Sequence, residues 1–186
     1  MTVQFNFAGL ILITAQEDCV ESMLHSIQIP IVLVNRILPS YKGDSVLIDN
    51  FQACYMAVMH LLEFGHKNIG FIRGPGVSSA SRQRFEGYLQ ALRNYGLNAN
   101  EDFIFDTDLK METGIKLAQT FIKQSDELPS AMIIVNDMTA IGFIDGCRDH
   151  GIRIPEDLFI INFDNIVFSA IKDLELTTIS QHVEKM

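Results

Sequence analysis

Four pairs of polar residues, of types that bind small hydroxylated molecules, lie beside apolar segments of the sequence. They are Arg82 and Arg84, Asp106 and Asp108, Asn136 and Asp137, and Asp164 and Asn165. An arginine donates hydrogen bonds in a fixed fork, whereas a carboxylate accepts them from two hydroxyls, so an Arg that faces an Asp suits a polyhydroxylated ligand. A molecule without the matching hydroxyl leaves a buried polar group unpaired, at a cost of about 1–3 kcal/mol. These residue types therefore favour selective recognition of such a molecule.

Each of these residues also has a structural explanation. We expect Asp137 to be a helix N-cap rather than a ligand contact, because Asp strongly prefers that position. Its neighbour Asn136 is then free to face a cleft. For Asp164 the pattern allows two roles equally, the cap of the helical turn that follows or a ligand contact. Arg82 is typical of a solvated surface residue.

Nothing in the sequence resembles catalytic or metal-binding machinery. The nucleophile motif G-x-S-x-G, the phosphate-binding loop G-x-x-x-x-G-K-[ST] and the zinc motif H-E-x-x-H are absent. The five histidines are dispersed, and the three cysteines, Cys19, Cys54 and Cys147, lack the spacing of a zinc site. We therefore expect a protein that is not an enzyme and that has no metal or cofactor.

The polar residues are positioned by alternating apolar runs and amphipathic stretches. Continuous apolar runs predict strands at 9–14, 31–34, 45–48, 69–72, 103–105, 131–135 and 158–161. Helical periodicity predicts helices at 16–27, from Asp49 or Asn50 to Gly65, and at 81–95, 112–124 and 138–150. Apolar strands separated by helices indicate parallel sheets covered on both faces, and such sheets bind ligands at the carboxyl ends of their strands.

The charge of the chain argues against independent binding to nucleic acids. The formal net charge is −9, and the 14 Lys and Arg residues are scattered, whereas phosphate neutralisation needs clustered basic residues. No run approaches the roughly 18 apolar residues of a membrane span, and the first residues lack the positive charge of a secretory signal. The cysteines lie in apolar surroundings that suit reduced thiols. Together these features predict a cytoplasmic protein.

Seven segments resemble one known protein family. They are IPIVLVNR at 29–36, DSVLIDN at 44–50, HLLEFGHKNIGFIRGP at 60–75, SASRQRFEGYLQAL at 79–92, NDMTAIG at 136–142, GIRIPEDLFIINFDN at 151–165 and LTTISQ at 176–181. In this order and spacing they resemble the regulatory core of the lactose-repressor/galactose-repressor (LacI/GalR) family of bacterial transcription regulators. The resemblance covers most of the chain.

The resemblance implies an α/β fold of the periplasmic-binding-protein-like type, with parallel sheets flanked by helices and a ligand cleft between two lobes. We expect residues 1–48 to form a partial N-terminal lobe and residues 49–163 to form a nearly complete C-terminal lobe. Residues 164–186 are expected to cross over and return toward the N-terminal lobe. The implied ligand is a small-molecule effector, a sugar or a nucleobase-like metabolite.

The family motifs assign ligand-binding roles to particular positions. Arg84 matches the arginine of the R-x-x-G segment that grips the effector, and Asn136 matches the asparagine of the N-D-x-x-A motif. Asp164 matches the acidic residue of the G-[FY]-D-[DN] segment that faces the cleft. Leu109 stands where the family often has an aromatic residue for stacking on a sugar ring, so ring stacking is not expected there. Asn162 replaces the usual glycine of the last segment, which predicts altered backbone geometry.

The function implied by the resemblance is effector binding in a transcription regulator. The DNA-binding helix-turn-helix head is absent from this chain, so DNA contact is expected only through that missing domain, and the intact protein is expected to be a homodimer that does not bind membranes. The alternative is a sugar-binding protein of a transport system, which shares the fold. We also expect the isolated chain to self-associate or to be marginally stable, because a partial lobe exposes sheet edges and apolar surface.

Overall fold

The computed structural model describes residues 7–13, 24, 26–124, 128–172 and 174–181, and the strands in this part of the chain form two sheets. The first contains β1 (Leu10–Leu12), β2 (Ile31–Val34) and β3 (Asp44–Val46), in the order β1-β2-β3. The second contains β4 (Ile69–Arg73), β5 (Ile104–Asp106), β6 (Ala131–Ile134), β7 (Phe159–Asp164) and β8 (Thr177–Ser180), in the order β5-β4-β6-β7-β8. All the strand pairs are parallel.

Helices cover both faces of the second sheet. They are α1 (Asn50–Glu63), α2 (Ser79–Asn94), α3 (Met111–Gln124) and α4 (Asp137–Asp149), with short 3-10 helices at Glu101–Phe103 and Val167–Ala170. Helices α1 and α2 pack together on one face, and α3 and α4 pack together on the other. This arrangement confirms the predicted α/β class with parallel sheets flanked by helices.

The apolar strand runs are explained by burial on both faces of the second sheet. In β4, Phe71 packs against α1 and α2, whereas its neighbour Ile72 packs against α3 and α4. In β6, Ile133 and Ile134 divide between the two cores in the same way. Successive strand residues point to opposite faces, so both must be apolar when both faces are covered.

The helix ends follow the local signals in the sequence. The Asp49 side chain accepts a hydrogen bond from the Gln52 backbone N–H at 2.8 Å, so Asp49 is the N-cap of α1. Gly65, Gly96 and Gly151 follow three helices with φ of 90°, 75° and 82°. In this left-handed conformation glycine has no steric penalty, which is why the helices end there.

The first sheet is smaller and has one small core, formed by Leu24, Ile31, Leu33 and Leu38. Two apolar side chains beside this core are open to solvent, since Ile11 is 66% exposed and Ile13 is 58% exposed. The helix predicted at 16–27 falls mainly outside the described residues.

Within the segment 164–186, which was expected to cross over and return toward the N-terminal lobe, Thr177–Ser180 pair with β7 as the edge strand of the second sheet. The division of the chain at residues 48 and 163 stays a prediction. One expectation about this sheet is wrong. Altered backbone geometry was expected at Asn162, but this residue pairs regularly with Ile134 and Thr178 on either side. The irregular backbone begins at Asp164, which has a φ of 115°.

Candidate ligand-binding site

The four side chains assigned to ligand binding line a single cleft. They are Arg84, Leu109, Asn136 and Asp164. Leu109 follows β5, Asn136 follows β6 and Asp164 ends β7, so the parallel sheet places them along one edge. Arg84 lies in the first turns of α2, the helix that follows β4. The cleft volume is about 590 Å³, which is in the range of small-molecule sites.

The opposite wall of the cleft comes from the first sheet. Ile11, Ile13, Val34, Asn35 and Arg36 lie on that wall. The exposed faces of Ile11 and Ile13 are therefore apolar surface that a bound molecule can cover. A ligand in this cleft would contact both sheets at once.

The Arg84 guanidinium is buried and held on three sides. Its Nε donates to Asn50 Oδ1 at 2.9 Å, its Nη1 donates to the Val135 carbonyl at 2.5 Å, and its carbon lies 4.3 Å from the centroid of the Phe163 ring. Burial lowers the pKa of Arg84, and the carboxylate of Asp164, 3.9 Å from Nη1, opposes that shift. Nη2 has no hydrogen-bond partner in the part of the chain that the structure describes, so it can donate to a ligand.

Asp164 faces Arg84 from the end of β7. Burial raises the pKa of Asp164 to about 6, an effect that Arg84 opposes and the nearby Asp137 reinforces. Its Oδ1 accepts a hydrogen bond from Gln181 Nε2. An ionised carboxylate has about four acceptor positions, so Asp164 retains positions for ligand hydroxyls. It does not cap the following 3-10 helix, whose N-cap is Ile166 and which has no side-chain cap.

A chain of hydrogen bonds links Arg84 to Asp164 through residues from both sheets. Asn50, which accepts from Arg84, donates its Nδ2 to Asn35 Oδ1 at 2.9 Å. Asn35 in turn donates to Gln181 Oε1 at 3.2 Å, and Gln181 donates to Asp164. Because Asn35 follows β2 and Gln181 follows β8, this chain holds the two sheets in a defined relation at the cleft.

Unusual backbone conformations occur around the cleft. Asn35, Leu109 and Asp164 line it and have φ of 52°, 71° and 115°. Such conformations cost about 1–3 kcal/mol each and persist where the surrounding structure enforces them, most often at functional sites. The Leu109 conformation is the least expected, because bulky side chains rarely adopt positive φ.

Asn136 has a different local role from the one expected. Its Oδ1 accepts from the Thr139 backbone N–H at 3.2 Å, so Asn136 and not Asp137 is the N-cap of α4. Its Nδ2 donates to the Leu109 carbonyl at 3.0 Å. An amide nitrogen has two donor hydrogens, so one remains for a molecule in the cleft.

Asp137 is fully buried behind the cleft. Its Oδ2 accepts from the Ile166 backbone N–H at 2.8 Å, and its Oδ1 accepts from Thr178 Oγ1 at 2.7 Å and from the Asn162 amide. The expectation that Asp137 caps α4 is therefore wrong, because tertiary contacts from β7, β8 and the loop after β7 occupy its carboxylate.

Leu109 contributes an aliphatic contact to the cleft. Its backbone N–H is bound by Thr107 Oγ1 at 3.1 Å and its carbonyl by Asn136, which together hold its positive-φ conformation. No aromatic side chain occurs among the described residues that line the cleft. The wall at this point can contact apolar ligand surface but cannot stack on a ring.

A family model described as the periplasmic binding protein-like domain matches residues 58–186 of the chain. The chain belongs to this family. The repressor CytR of Escherichia coli (strain K12), described as an HTH-type transcriptional repressor, is 38% identical over 152 residues, a match that covers 82% of this chain and 44% of CytR. The chain thus spans about half the length of the curated relatives it matches.

Solved structures of LacI-family regulators share the fold of this chain. A LacI family transcriptional regulator from Mycobacterium smegmatis has a TM-score of 0.83 at 26% identity, with 93% of this chain and 64% of that chain covered. The complex of the transcriptional regulator CelR with cellobiose has a TM-score of 0.87 at 25% identity, with 96% of this chain and 55% of that chain covered. The predicted resemblance to the LacI family is confirmed, and the chain corresponds to the core of these regulators. These relatives are transcription regulators, not enzymes.

Four polar residues near the cleft of this LacI-family core were not predicted from the sequence. Asn35, Arg36 and Gln181 line the cleft, and Asn50 orients Arg84. All four lie within segments that resemble the family, at 29–36, 44–50 and 176–181. A signal was therefore present for Asn35, because it directly follows the predicted strand at 31–34. Gln181 follows β8, a strand that the apolar pattern did not indicate.

The remaining polar candidates have structural roles at the surface. Arg82 donates to the Gly76 carbonyl at 2.7 Å, Asp106 pairs with Arg73 at 2.6 Å, and Asp108 pairs with Lys110 at 2.7 Å. These exposed ion pairs contribute little to stability.

Within the described ranges, no three His, Cys, Asp or Glu side chains are grouped so that they could hold a metal ion. Cys54 and Cys147 are free, buried thiols whose pKa burial raises to about 12. None of the described helices has the length and apolar composition needed to cross a membrane.

Proposed function

We propose that the cleft binds a small hydroxylated effector and that the chain is the effector-binding module of a bacterial transcription regulator. The observation that carries this proposal is that Arg84 and Asp164, far apart in sequence, face each other at 3.9 Å in a cleft of about 590 Å³. A donor fork opposite a carboxylate matches the hydroxyls of a sugar or the polar edge of a nucleobase.

The lining of the cleft supports a ligand with both polar and apolar surfaces. Arg84, Asn136 and Asp164 supply donors and acceptors, whereas Leu109 and Val135 supply aliphatic contacts. A sugar has hydroxyls at its edges and C–H groups on its faces, and the similar fold of the CelR–cellobiose complex also favours a sugar.

Ligand binding in this position would couple to the relation between the two sheets. The Asn35–Gln181 hydrogen bond and a hydrogen bond from the Ile37 backbone N–H to Ser79 Oγ, 3.1 Å long, already join them. A molecule that contacts both walls would favour one relative angle over others, and such couplings amount to about 1–3 kcal/mol.

We further propose that DNA binding belongs to a part of the regulator outside these 186 residues. DNA binding needs clustered basic residues, whereas this chain has a net charge of −9. Helix-turn-helix modules bind two half-sites as dimers, so we propose that the intact regulator is a homodimer. We also propose that it acts in the cytoplasm and catalyses no reaction. The homodimer is tested by analytical ultracentrifugation of the full-length protein. We expect the mass of a dimer, and the mass of a monomer would contradict the proposal.

The proposal is tested by a thermal-unfolding screen of the chain against sugars and nucleosides. At least one compound should raise the melting temperature of the wild type, because a ligand of the native state stabilises it. The same compound should have little effect on Asp164→Asn, which loses the carboxylate acceptor. Asp145→Asn is the matched control, because Asp145 is an exposed carboxylate on α4 and should leave the response unchanged. Equal responses in all three proteins would contradict the assignment.

A further inference from the structure

The cleft has a different charge from the rest of the chain. Its charged lining residues, among those that the structure describes, are Arg36, Arg84 and Asp164. Two guanidiniums therefore share the cleft with one carboxylate, in a chain whose net charge is −9. Asp164 faces Arg84 at 3.9 Å, and the buried Asp137 behind the cleft also acts on Arg84. Arg36 is therefore the lining cation that forms no ion pair with a described carboxylate.

Arg36 has few internal contacts. Its Nη1 donates to the carbonyl of its neighbour Asn35 at 2.7 Å, and none of the carboxylates described here forms an ion pair with it. Arg36 is half-buried. The pKa of Arg84 is lowered mainly by the burial of Arg84 itself, and the charge of Arg36 lowers it further. Arg36 and Arg84 line the same cleft, so two like charges share it, and an anion bound to both would offset their repulsion.

Two helix N-termini also border the cleft. Ser78, the N-cap of α2, lines it together with Ala80 and Ser81, and Asn136, the N-cap of α4, lies beside them. The N-terminal end of a helix carries a partial positive charge. The surroundings of the two guanidiniums therefore reinforce their preference for a negative group.

We propose that the effector carries a phosphate or carboxylate that Arg36 and Arg84 bind together, while Asp164 accepts hydroxyls of the same molecule. This inference rests on the proposed function and narrows its ligand to an anionic, hydroxylated metabolite such as a sugar phosphate or a sugar acid. Arginine forks match the geometry of both anions. Arg36, from the first sheet, is the residue that gives the preference for the charged form.

Inorganic phosphate is a probe that needs no knowledge of the sugar. Its apparent affinity is measured from thermal unfolding in phosphate and in chloride at equal ionic strength. Arg36→Gln should weaken phosphate binding about tenfold or more, because a hydrogen bond to a charged group is lost. Arg93→Gln is the matched control, since Arg93 is an exposed arginine near the end of α2 and its loss changes the net charge equally. An equal phosphate response in all three proteins, or none in the wild type, overturns the proposal.

Matched ligands separate this inference from the proposed function. The panel contains hexoses, the corresponding hexose phosphates and the corresponding hexuronic acids, which also distinguishes phosphate from carboxylate. We expect an anionic member to bind about tenfold more tightly than its neutral partner, and Arg36→Gln to remove that preference. A neutral hexose that binds more tightly than both anionic forms overturns the inference and leaves the proposed function intact. If no compound binds in this panel or in the sugar and nucleoside screen, both fail.

Discussion

Two carboxylates at the ends of neighbouring strands have opposite environments. Asp137, after β6, is fully buried and accepts hydrogen bonds from Asn162, Thr178 and the Ile166 backbone. Asp164, at the end of β7, lies at the cleft, where burial raises its pKa to about 6 and one amide donates to it.

The difference shows that one sheet edge can hold both a carboxylate whose acceptor positions are filled by the protein and a carboxylate with acceptor positions left over. The donors around Asp137 come from the protein itself, so its hydrogen-bonding capacity is used in the folded state. Asp164 keeps acceptor positions that the protein does not fill. Its partial burial and its positive φ of 115° are both unfavourable to the folded state. Spare capacity next to Arg84 is what a ligand can use.

The largest effect is expected from Asp137→Ala. The substitution leaves the Asn162 amide, the Thr178 hydroxyl and the Ile166 N–H without their acceptor, so we expect a loss of about 3 kcal/mol or more in the free energy of unfolding. The measurement is urea-induced unfolding, with Asp145→Ala on the exposed face of α4 as the control at about 0.5 kcal/mol or less. A similar small loss in both variants would show that the buried carboxylate is not structural.

The different roles of Asn136 and Asp137 mark a limit of sequence analysis. Both residue types cap helices well, so the motif alone cannot say which one binds the backbone of α4. The choice is set by Asn162, Ile166 and Thr178, which lie 25 to 41 positions away. Strand β8 was missed for a related reason, because Thr177–Ser180 lacks a continuous apolar run and is only partly buried.

The fold could be predicted more fully than the site, because strands and helices are set by the residues of their own segments. Apolar runs and glycine ends located β4, β5, β6, β7 and the four helices of the second sheet. The family motifs pointed to Arg84, Asn136 and Asp164, which line one cleft. The link from Asn35 to Gln181 spans 146 positions, and no spacing rule indicates such a contact. Polar residues at strand ends could be recognised individually, but their partners could not.

Arg84→Met should have the second largest effect, because Arg84 both donates hydrogen bonds to buried protein groups and lines the cleft. Asn50 Oδ1 and the Val135 carbonyl lose their donor, so we expect a loss of about 2 kcal/mol in unfolding free energy together with loss of effector binding. Urea unfolding and calorimetry with the compound found in the screen test the two effects separately. Loss of stability with unchanged affinity would place Arg84 with Asp137 as a purely structural residue.

A smaller effect is expected from breaking the link between the sheets. A double-mutant cycle with Asn35→Ala and Gln181→Ala should give a coupling of about 0.5–1.5 kcal/mol in unfolding free energy, the usual contribution of one hydrogen bond. The control cycle uses Gln90 and Asn94, which form an exposed hydrogen bond of 2.7 Å on α2 and should couple more weakly. Equal couplings would mean that the contact between the sheets adds nothing beyond a surface hydrogen bond.

Asp164 should also make the stability of the chain depend on pH. Its pKa is raised to about 6 in the folded chain, so the folded state holds a proton that the unfolded chain has already released. The stabilisation is present below the ordinary pKa of an aspartate, about 3.9, and is lost as pH rises through 6. Arg84 and Asp137 face the same carboxyl and remain in Asp164→Asn. The difference in unfolding free energy between wild type and this variant should therefore fall between pH 4 and 6 and level off by about pH 7; a constant or rising difference would contradict the raised pKa.

A crystal structure of the chain with the compound that stabilises it most would show directly whether the cleft is the effector site. We expect ligand density between the two sheets, with a hydroxyl about 2.6–3.0 Å from an Asp164 carboxylate oxygen and a donor contact from Arg84. Density at another surface, with this cleft containing only solvent, would contradict the claim that these residues form the effector site.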